Sequence, residues 1–346
     1  MNNRVFKLSD IYWAGIWLIT KIGYLVLPVP VLIGFAKLMG WFKSLTSEKK
    51  VLVKQNLVAA FGDEWNETKI QATMRRHLEF LEMFDLFLHL PVSTIHSVSK
   101  RWSVEGLQYI DSALARGEGA ILVSAHFGYA RLIEYILTTK GYKPHVVRSR
   151  SNSPVIKAEK RSKKQSLDFT AFGKFMYDRL RVPRIVTRDR EFFAEMNVRP
   201  LVQALKNNNI LFLMGDGTRA MKFVNLDFMR HILPFPTGFV SLAQITGAAI
   251  LPIFAVDSPD GYGIKVIIEP PLMLEPSSSS EHDTTAKSVE SFARLFESYV
   301  RRYPHLFYKM FARENKWEKR LARTQGDVAE RYMHNKRRFN EKFSGN

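Results

Sequence analysis

The sequence predicts an α/β protein in which a mixed sheet is flanked by helices and preceded by an apolar, membrane-associated helical segment. Three observations support this fold class. β-rich segments alternate with helical ones across residues 101–274, two amphipathic helical segments precede them, and the N-terminus carries a long apolar stretch. Alternation of strands and helices is typical of α/β sheets because the helices cover the faces of the sheet.

The apolar stretch runs from Ile11 to Phe42 and contains tryptophan and tyrosine as well as aliphatic residues. Lys21, Lys37 and two prolines interrupt it, and its longest uncharged run, Ile22 to Ala36, is shorter than the roughly 20 apolar residues of a spanning helix. Aromatic rings favour the headgroup zone of a bilayer. The pattern therefore predicts interfacial or re-entrant anchoring; the alternative is a helical hairpin that covers the core.

Two helices are expected between Ser47 and Phe87, separated by Gly62 and Asp63, because apolar residues recur there at helical spacing. After the sheet, Pro270–Thr285 is expected to be a flexible connection and Lys287–Arg302 an amphipathic helix. The strand candidates are Ala120–Ser124, Pro144–Arg148, Arg184–Val186, Ile210–Met214, Ala249–Val256 and Gly263–Ile268.

His126 lies where the first of these strands gives way to a helix predicted over Arg131 to Leu137. Ligands of open α/β sheets collect at such strand ends, so His126 is a candidate catalytic base. A histidine at this place can also be an ordinary polar loop residue, and the junction alone does not decide between the two.

Further landmarks follow one another between Arg101 and Phe311: Trp102–Leu107, Gly117–Leu122, His126-Phe127-Gly128, Arg148, Asn152, Arg161, Ile210–Asp216, Pro236-Thr237-Gly238, Thr246–Ala248, Ile250–Pro252 and Tyr303-Pro304. In this order they resemble the lipid A biosynthesis lauroyl/myristoyl acyltransferases. This resemblance implies a glycerolipid-acyltransferase-like fold and transfer of a fatty acyl chain.

The sequence departs from this family at Arg131. The family signature has an aspartate or glutamate at this position, separated from the histidine by four residues, and this carboxylate orients the imidazole. Arginine cannot do this, so a replacement acid is expected. We name Glu134 first and Asp216 second; the alternative for Glu134 is a surface ion pair with Arg131, and for Asp216 a turn-forming role beside glycine.

The resemblance also implies substrate-binding residues. Arg148, Asn152 and Arg161 follow the next strand, and the family precedent is contact with phosphate or phosphopantetheine, to which arginine is well suited. Arg131 and Thr237 complete the candidate set. Solvent-exposed bases would produce the same pattern.

Composition excludes several classes of function. The chain has 346 residues and no cysteine, so disulfides, thiolate nucleophiles and cysteine-ligated metals are excluded. No cofactor or metal is expected. A formal net charge of +18 favours polyanionic partners such as anionic lipid headgroups or an acidic carrier protein. No nucleic-acid-binding signature is present, so nucleic acid is not an expected partner.

Three regions are therefore expected: a membrane anchor or interfacial helices over 1–45, an α/β acyltransferase domain over 46–312, and a basic helix and tail over 313–346. The resemblance implies acyl transfer from an acyl carrier protein or coenzyme A thioester to a hydroxyl of a glycolipid or lysophospholipid. The expected location is the cytoplasmic face of the bacterial inner membrane. The alternative is a non-catalytic lipid- or carrier-binding relative that lost the catalytic dyad.

Overall fold

A computed structural model of the chain describes residues 26–90, 92–100, 102–148, 197–217, 222–274 and 281–308, with the short pieces 22–23 and 191–193. Several predictions fall outside these residues and remain predictions. They concern most of the apolar stretch before residue 26, the strand Arg184–Val186, the residues Asn152 and Arg161, and the basic tail 313–346.

The helices before the sheet, within the described residues, are α1 (Val29–Thr46), α2 (Lys49–Phe61), α3 (Glu67–His89) and α4 (Val92–Ser99). α1 and α3 pack closely because Gly40 has no side chain: a Cβ there would lie 2.3 Å from the Cα of Glu79. Asn66 caps α3 by accepting a 2.9 Å hydrogen bond from the backbone N–H of Lys69. The inner face of α1, including Leu32 and Ile33, therefore belongs to the hydrophobic core.

The central sheet has seven strands in the order β1-β9-β8-β2-β5-β3-β4. β2 is parallel to both of its neighbours, β5 and β8, and β9 runs antiparallel to β8, so the sheet is mixed and mostly parallel. The strands are β1 (Ser103–Glu105), β2 (Ala120–Ser124), β3 (His145–Arg148), β4 (Glu191–Phe193), β5 (Ile210–Met214), β8 (Ala249–Asp257) and β9 (Ile264–Ile268).

A separate antiparallel hairpin is formed by β6 (Phe223–Phe228) and β7 (His231–Pro236), and the sequence did not predict it. Helices join and cover the sheet: α5 (Leu107–Ala115), α6 (Ile133–Thr139), α7 (Arg199–Lys206), α8 (Gly238–Thr246) and α9 (Glu281–Arg302). The described architecture thus confirms an α/β fold with a mixed sheet flanked by helices.

Two predicted boundaries need correction. α9 begins at Glu281, so the end of the expected flexible connection is helical; Thr284 is buried there, and its carbonyl accepts a 2.9 Å hydrogen bond from the Ser288 hydroxyl. Small polar residues on that buried face hid the helix from hydrophobic periodicity. The helix expected from Arg131 instead begins with a 3₁₀ turn, Ala130–Leu132, before α6.

No helix in the described part of the chain combines the length and the apolar character needed to cross a bilayer. The prediction of N-terminal membrane association therefore remains a prediction. α1 itself is packed on α3 and is continuous with the core, although several large apolar side chains on its outer face are exposed.

Candidate active site

His126 lies two residues beyond β2, in a loop that turns sharply at the carboxyl end of the strand. All five residues of β2 are buried, and Phe127 directly after the histidine is buried as well. Gly128 has φ of +50°, and a Cβ at this position would lie 1.9 Å from the carbonyl oxygen of Ala255. Only glycine allows this close contact. The loop therefore packs against β8 and leaves His126 at the carboxyl end of the central strands.

Asp216 lies at the same end of the sheet, just beyond the neighbouring strand β5. β5 ends at Met214, and the backbone N–H of Gly215 donates to the carbonyl of Ser124 at 2.6 Å. A Cβ on Gly215 would lie 2.5 Å from the ring of Phe292, so glycine is again required. Close packing of this turn brings Asp216 beside the β2 loop, although 90 residues separate it from His126.

The carboxylate of Asp216 holds the histidine at two points. Its Oδ1 atom lies 2.8 Å from His126 Nδ1 and accepts a 3.1 Å hydrogen bond from the His126 backbone N–H. The Asp216 side chain is 8% exposed and that of His126 34%. Because the carboxylate is an acceptor, Nδ1 carries the proton and the neutral ring keeps a lone pair on Nε2. A buried acid thus orients a ring that solvent can reach.

The aromatic ring of Tyr308 lies beside His126 and packs on a second aromatic ring. The ring of Tyr308 lies nearly perpendicular to that of His126, with centroids 6.4 Å apart, and stacks at 5.3 Å on Phe84 of α3. Both aromatic residues are buried. One side of the imidazole is consequently apolar, whereas Asp216 supplies charge at Nδ1.

Glu134, the acid that the sequence placed first, pairs with Arg148. Its Oε2 accepts a 2.6 Å hydrogen bond from Nη2 of Arg148, whose Nε lies 3.0 Å from Oε1 of Glu191. Both carboxylates are buried, so the three residues tie α6, β3 and β4 together. Of the two acids named from the sequence, Asp216 is the one that the structure bonds to His126. Nearness along the chain does not show which strand ends meet.

The remaining candidates are dispersed. Arg131 is exposed on the 3₁₀ turn and forms no ion pair with any residue of the described part, so the surface pair with Glu134 that was the alternative is not observed. Arg148 lies between two carboxylates, which compete with the predicted phosphate contact. Thr237 is buried directly before α8, and no bond joins it to His126 or Asp216 among the described residues. Asn152 and Arg161 lie outside the described residues.

The chain matches the profile of the family described as bacterial lipid A biosynthesis acyltransferase over residues 3–316. It belongs to this family. No curated protein matches the chain significantly. Membership of the lipid A biosynthesis acyltransferase family implies acyl transfer, with an acyl donor and a lipid acceptor as partners.

Sequence reasoning missed four further residues near the lipid A acyltransferase-family site. Tyr129 follows His126 by three positions, Asp257 ends β8, and His305 and His77 complete a hydrogen-bonded cluster with them. An aspartate at the end of a strand adjacent to β2 was the available signal. It went unused because the order of strands in the sheet was unknown.

Proposed function

We propose that the protein transfers a fatty acyl chain from an acyl carrier protein or coenzyme A thioester to a hydroxyl of a glycolipid or lysophospholipid. The observation that carries this proposal is the 2.8 Å contact between Asp216 and His126 Nδ1. The contact leaves Nε2 of a half-exposed ring as the basic atom. A hydroxyl that approaches Nε2 can be activated without a metal or a covalent acyl-enzyme.

In the proposed reaction, Nε2 of His126 removes the proton of the acceptor hydroxyl as its oxygen attacks the thioester carbonyl. The ring becomes an imidazolium, which the Asp216 carboxylate stabilises through Nδ1–H. Collapse of the tetrahedral intermediate breaks the carbon–sulfur bond, and the proton on Nε2 passes to the departing thiolate. The products are an ester and a free thiol, and His126 returns to its neutral form.

The acid–base pair also weighs against the alternative of a non-catalytic lipid- or carrier-binding relative. That alternative follows from the loss of an acid at Arg131 and predicts an isolated histidine. Asp216 supplies the orienting carboxylate from β5, with its own side chain almost fully buried. In this proposal, Asp216 takes the orienting role of the family acid that Arg131 replaces.

A thiol-release assay tests the proposal directly. The chain contains no cysteine, so a thiol reagent added to the reaction detects only the released carrier or coenzyme A. Each donor is paired with lysophospholipid or glycolipid acceptors, and the esterified product is identified by mass spectrometry. We expect acceptor-dependent thiol release with wild type. Release no faster than without protein, with both donors and both acceptor classes, would refute acyl transfer.

We further propose that α1 lies on the cytoplasmic face of the bacterial inner membrane, where a soluble acyl donor meets a lipid acceptor. Support comes from an outward apolar row with helical spacing on a helix whose other face is packed on α3. The net charge of +18 complements an anionic membrane surface. The exposed row is Val31, Phe35, Leu38, Phe42 and Leu45.

Vesicle sedimentation tests this second proposal. Phe35 and Phe42 are 62% and 52% exposed, so replacing both by glutamate should leave the fold intact. We expect the double variant to lose at least about tenfold in affinity for phosphatidylglycerol vesicles, because apolar area is withdrawn and negative charge is added. Ile245→Glu, on an exposed position of α8, is the matched control. Equal binding by the double variant and the control would contradict the proposed orientation.

A further inference from the structure

A second carboxylate, that of Asp257, lies on the other side of β2, the strand that precedes His126. β2 stands between β5 and β8, and each neighbour carries an aspartate at or just beyond its carboxyl end: Asp216 after β5 and Asp257 at the end of β8. Asp216 bonds the ring and backbone of His126. Asp257 instead accepts a 2.8 Å hydrogen bond from the hydroxyl of Tyr129, three residues further along the same loop.

Asp257 is itself held by a buried cluster. His305 Nε2 lies 2.6 Å from Asp257 Oδ2, and the carbonyl of His305 lies 2.6 Å from Nδ1 of His77 on α3. A carbonyl can only accept, so Nδ1 of His77 carries a proton. Arg76 places its guanidinium 3.4 Å from His305 Nε2 and adds positive charge near Asp257. The acceptor that Tyr129 uses is thus fixed by α3 and by the 3₁₀ turn Pro304–Leu306, which follows α9 and is called the C-terminal turn below.

The protonation states of Tyr129 and Asp257 fix which of the two donates the hydrogen bond between them. Burial would raise the pKa of Asp257, but hydrogen bonds from His305 and Tyr129, with the positive charge around them, outweigh it and lower that pKa. Burial, together with the neighbouring charge of Asp257, raises the pKa of Tyr129 well above its usual value. The hydroxyl therefore remains a donor and the carboxylate an acceptor over the whole physiological pH range.

The loop that follows β2 lies in space between Asp216 and Asp257, and backbone hydrogen bonds hold it in place. Gly128 N–H donates to the Leu306 carbonyl at 2.9 Å, and Tyr129 N–H donates to the Ala255 carbonyl at 3.0 Å. The Tyr129 ring is fully buried and meets three phenylalanines of α3 edge-on. His126 is thus attached to β5 through its side chain and to β8 through Tyr129.

We infer that Tyr129 and Asp257 are positioning residues for His126: the bond from the Tyr129 hydroxyl to Asp257 fixes the loop from which the catalytic ring projects. This inference rests on the proposed acyl transfer. Neither residue is assigned contact with substrate. Their action is to keep the imidazole at the place where Asp216 holds Nδ1 and an acceptor hydroxyl reaches Nε2.

Tyr129→Phe isolates the contribution of the hydroxyl, because the ring and its packing on α3 are kept. Turnover is measured per folded molecule, with the folded fraction taken from thermal unfolding. We expect kcat to fall about 10- to 100-fold with little change in KM for donor or acceptor, since misplacement of a catalytic group by about 1 Å costs rates of this size. Tyr142→Phe is the matched control; its hydroxyl donates to Asp111, an exposed residue, at 2.7 Å.

A spectroscopic signal separates positioning from stability. The Nδ1 proton of His126, bonded to Asp216, gives a low-field proton resonance that is identified by its loss in His126→Ala. We expect Tyr129→Phe to shift or broaden this resonance and Tyr142→Phe to leave it unchanged. An unmoved resonance in Tyr129→Phe, a kcat within twofold of wild type, or an equal loss in Tyr142→Phe would each overturn the inference. If wild type transfers no acyl group, the proposed function fails, and the resonance still decides whether Tyr129 positions His126.

Discussion

Two histidine–aspartate pairs lie at the same end of the sheet, and they differ in which ring atom is bound and in how far solvent reaches. In His126–Asp216, the aspartate bonds Nδ1 and the histidine side chain is 34% exposed. In His305–Asp257, the aspartate bonds Nε2 and the histidine side chain is only 5% exposed. The first pair therefore has a partly exposed histidine whose Nε2 is not the atom that the aspartate binds, whereas the histidine of the second pair is enclosed.

The difference shows that a histidine beside a carboxylate is not by itself a catalytic pair. Burial of the basic partner and its position in the loop network decide the role. The enclosed pair fixes the loop through Tyr129, and the open pair presents a base. The following predictions are designed to break or sharpen this contrast, beginning with the largest expected effect.

Removing the open histidine should have the largest effect. His126→Ala is expected to lower kcat by about 10²–10⁴-fold, the usual contribution of a general base, with little change in thermal stability. His96→Ala, at an exposed position of α4, is the control and should retain full turnover. Both are measured by thiol release. Wild-type turnover in His126→Ala would remove this residue from the mechanism.

Neutralising the acid of the open pair comes next. Asp216→Asn should lower kcat by roughly 10²-fold, because the amide neither stabilises the imidazolium nor enforces the Nδ1–H tautomer. KM should change little, since no substrate contact is assigned to this side chain. Steady-state kinetics with saturating donor separate the two parameters. A raised KM at unchanged kcat would instead make Asp216 a substrate-binding residue.

The enclosed cluster should reveal itself in stability at acidic pH. Burial lowers the pKa of His77 to about 4, although the His305 carbonyl acts in the opposite direction. His77 therefore stays neutral in the folded protein. Its contribution to the free energy of unfolding is fully present above the pKa of the unfolded chain, near 6.5, and is lost as pH falls toward 4. Glutamine at this position can still donate to the His305 carbonyl but does not titrate. His77→Gln should therefore reduce the loss of unfolding free energy between pH 6.5 and 4 by on the order of 3 kcal/mol.

Chemical denaturation of wild type and His77→Gln at pH 7, 6, 5 and 4 measures this effect. The difference between the two unfolding free energies should shift steadily in favour of the variant below pH 6.5. Parallel curves from pH 7 to 4 would show that His77 is protonated with equal ease in the folded and unfolded states.

Glu134 should affect stability rather than catalysis. Glu134→Gln removes the charge of one of the carboxylates that Arg148 contacts, Glu134 and Glu191, so we expect the free energy of unfolding to fall by about 2 kcal/mol. Turnover per folded molecule should stay within about threefold of wild type. Denaturation combined with thiol release measures both. A loss of turnover as large as that of Asp216→Asn would restore Glu134 as a catalytic candidate.

Restoring the family acid should have the smallest effect. Arg131 is exposed, and Asp216 already occupies His126 Nδ1. Arg131→Asp should therefore change kcat by less than about threefold, as is usual for surface substitutions away from a site. A tenfold gain would show that the oriented ring is incomplete without an acid at position 131.

Two central strands and the candidate histidine at the end of one of them were accessible from sequence for a simple physical reason. Buried parallel strands such as β2 and β5 are continuous apolar runs, and both were predicted at their observed boundaries. The β6–β7 hairpin was missed because Met229 and Arg230 occupy its turn with φ of 48° and 64°. Two-residue turns with positive φ are usually recognised from asparagine and glycine, which this turn lacks.

The acid partner could be named from sequence but not ranked. Glu134 was placed first because it lies eight residues after His126, whereas Asp216 depends on β5 being the neighbour of β2. Only the strand order decides which carboxylate reaches Nδ1. The enclosed pair was invisible for the same reason, since Asp257 and His305 meet through β8 and the C-terminal turn.

A double-mutant cycle tests the central claim, that Asp216 acts through His126, most directly. Asp216→Asn is introduced into wild type and into His126→Ala, and kcat is measured for all four proteins. The account predicts a loss of roughly 10²-fold in wild type and less than about twofold in the His126→Ala background, because residues that act as a unit are non-additive. An equal loss in both backgrounds, or no loss in wild type, would contradict it.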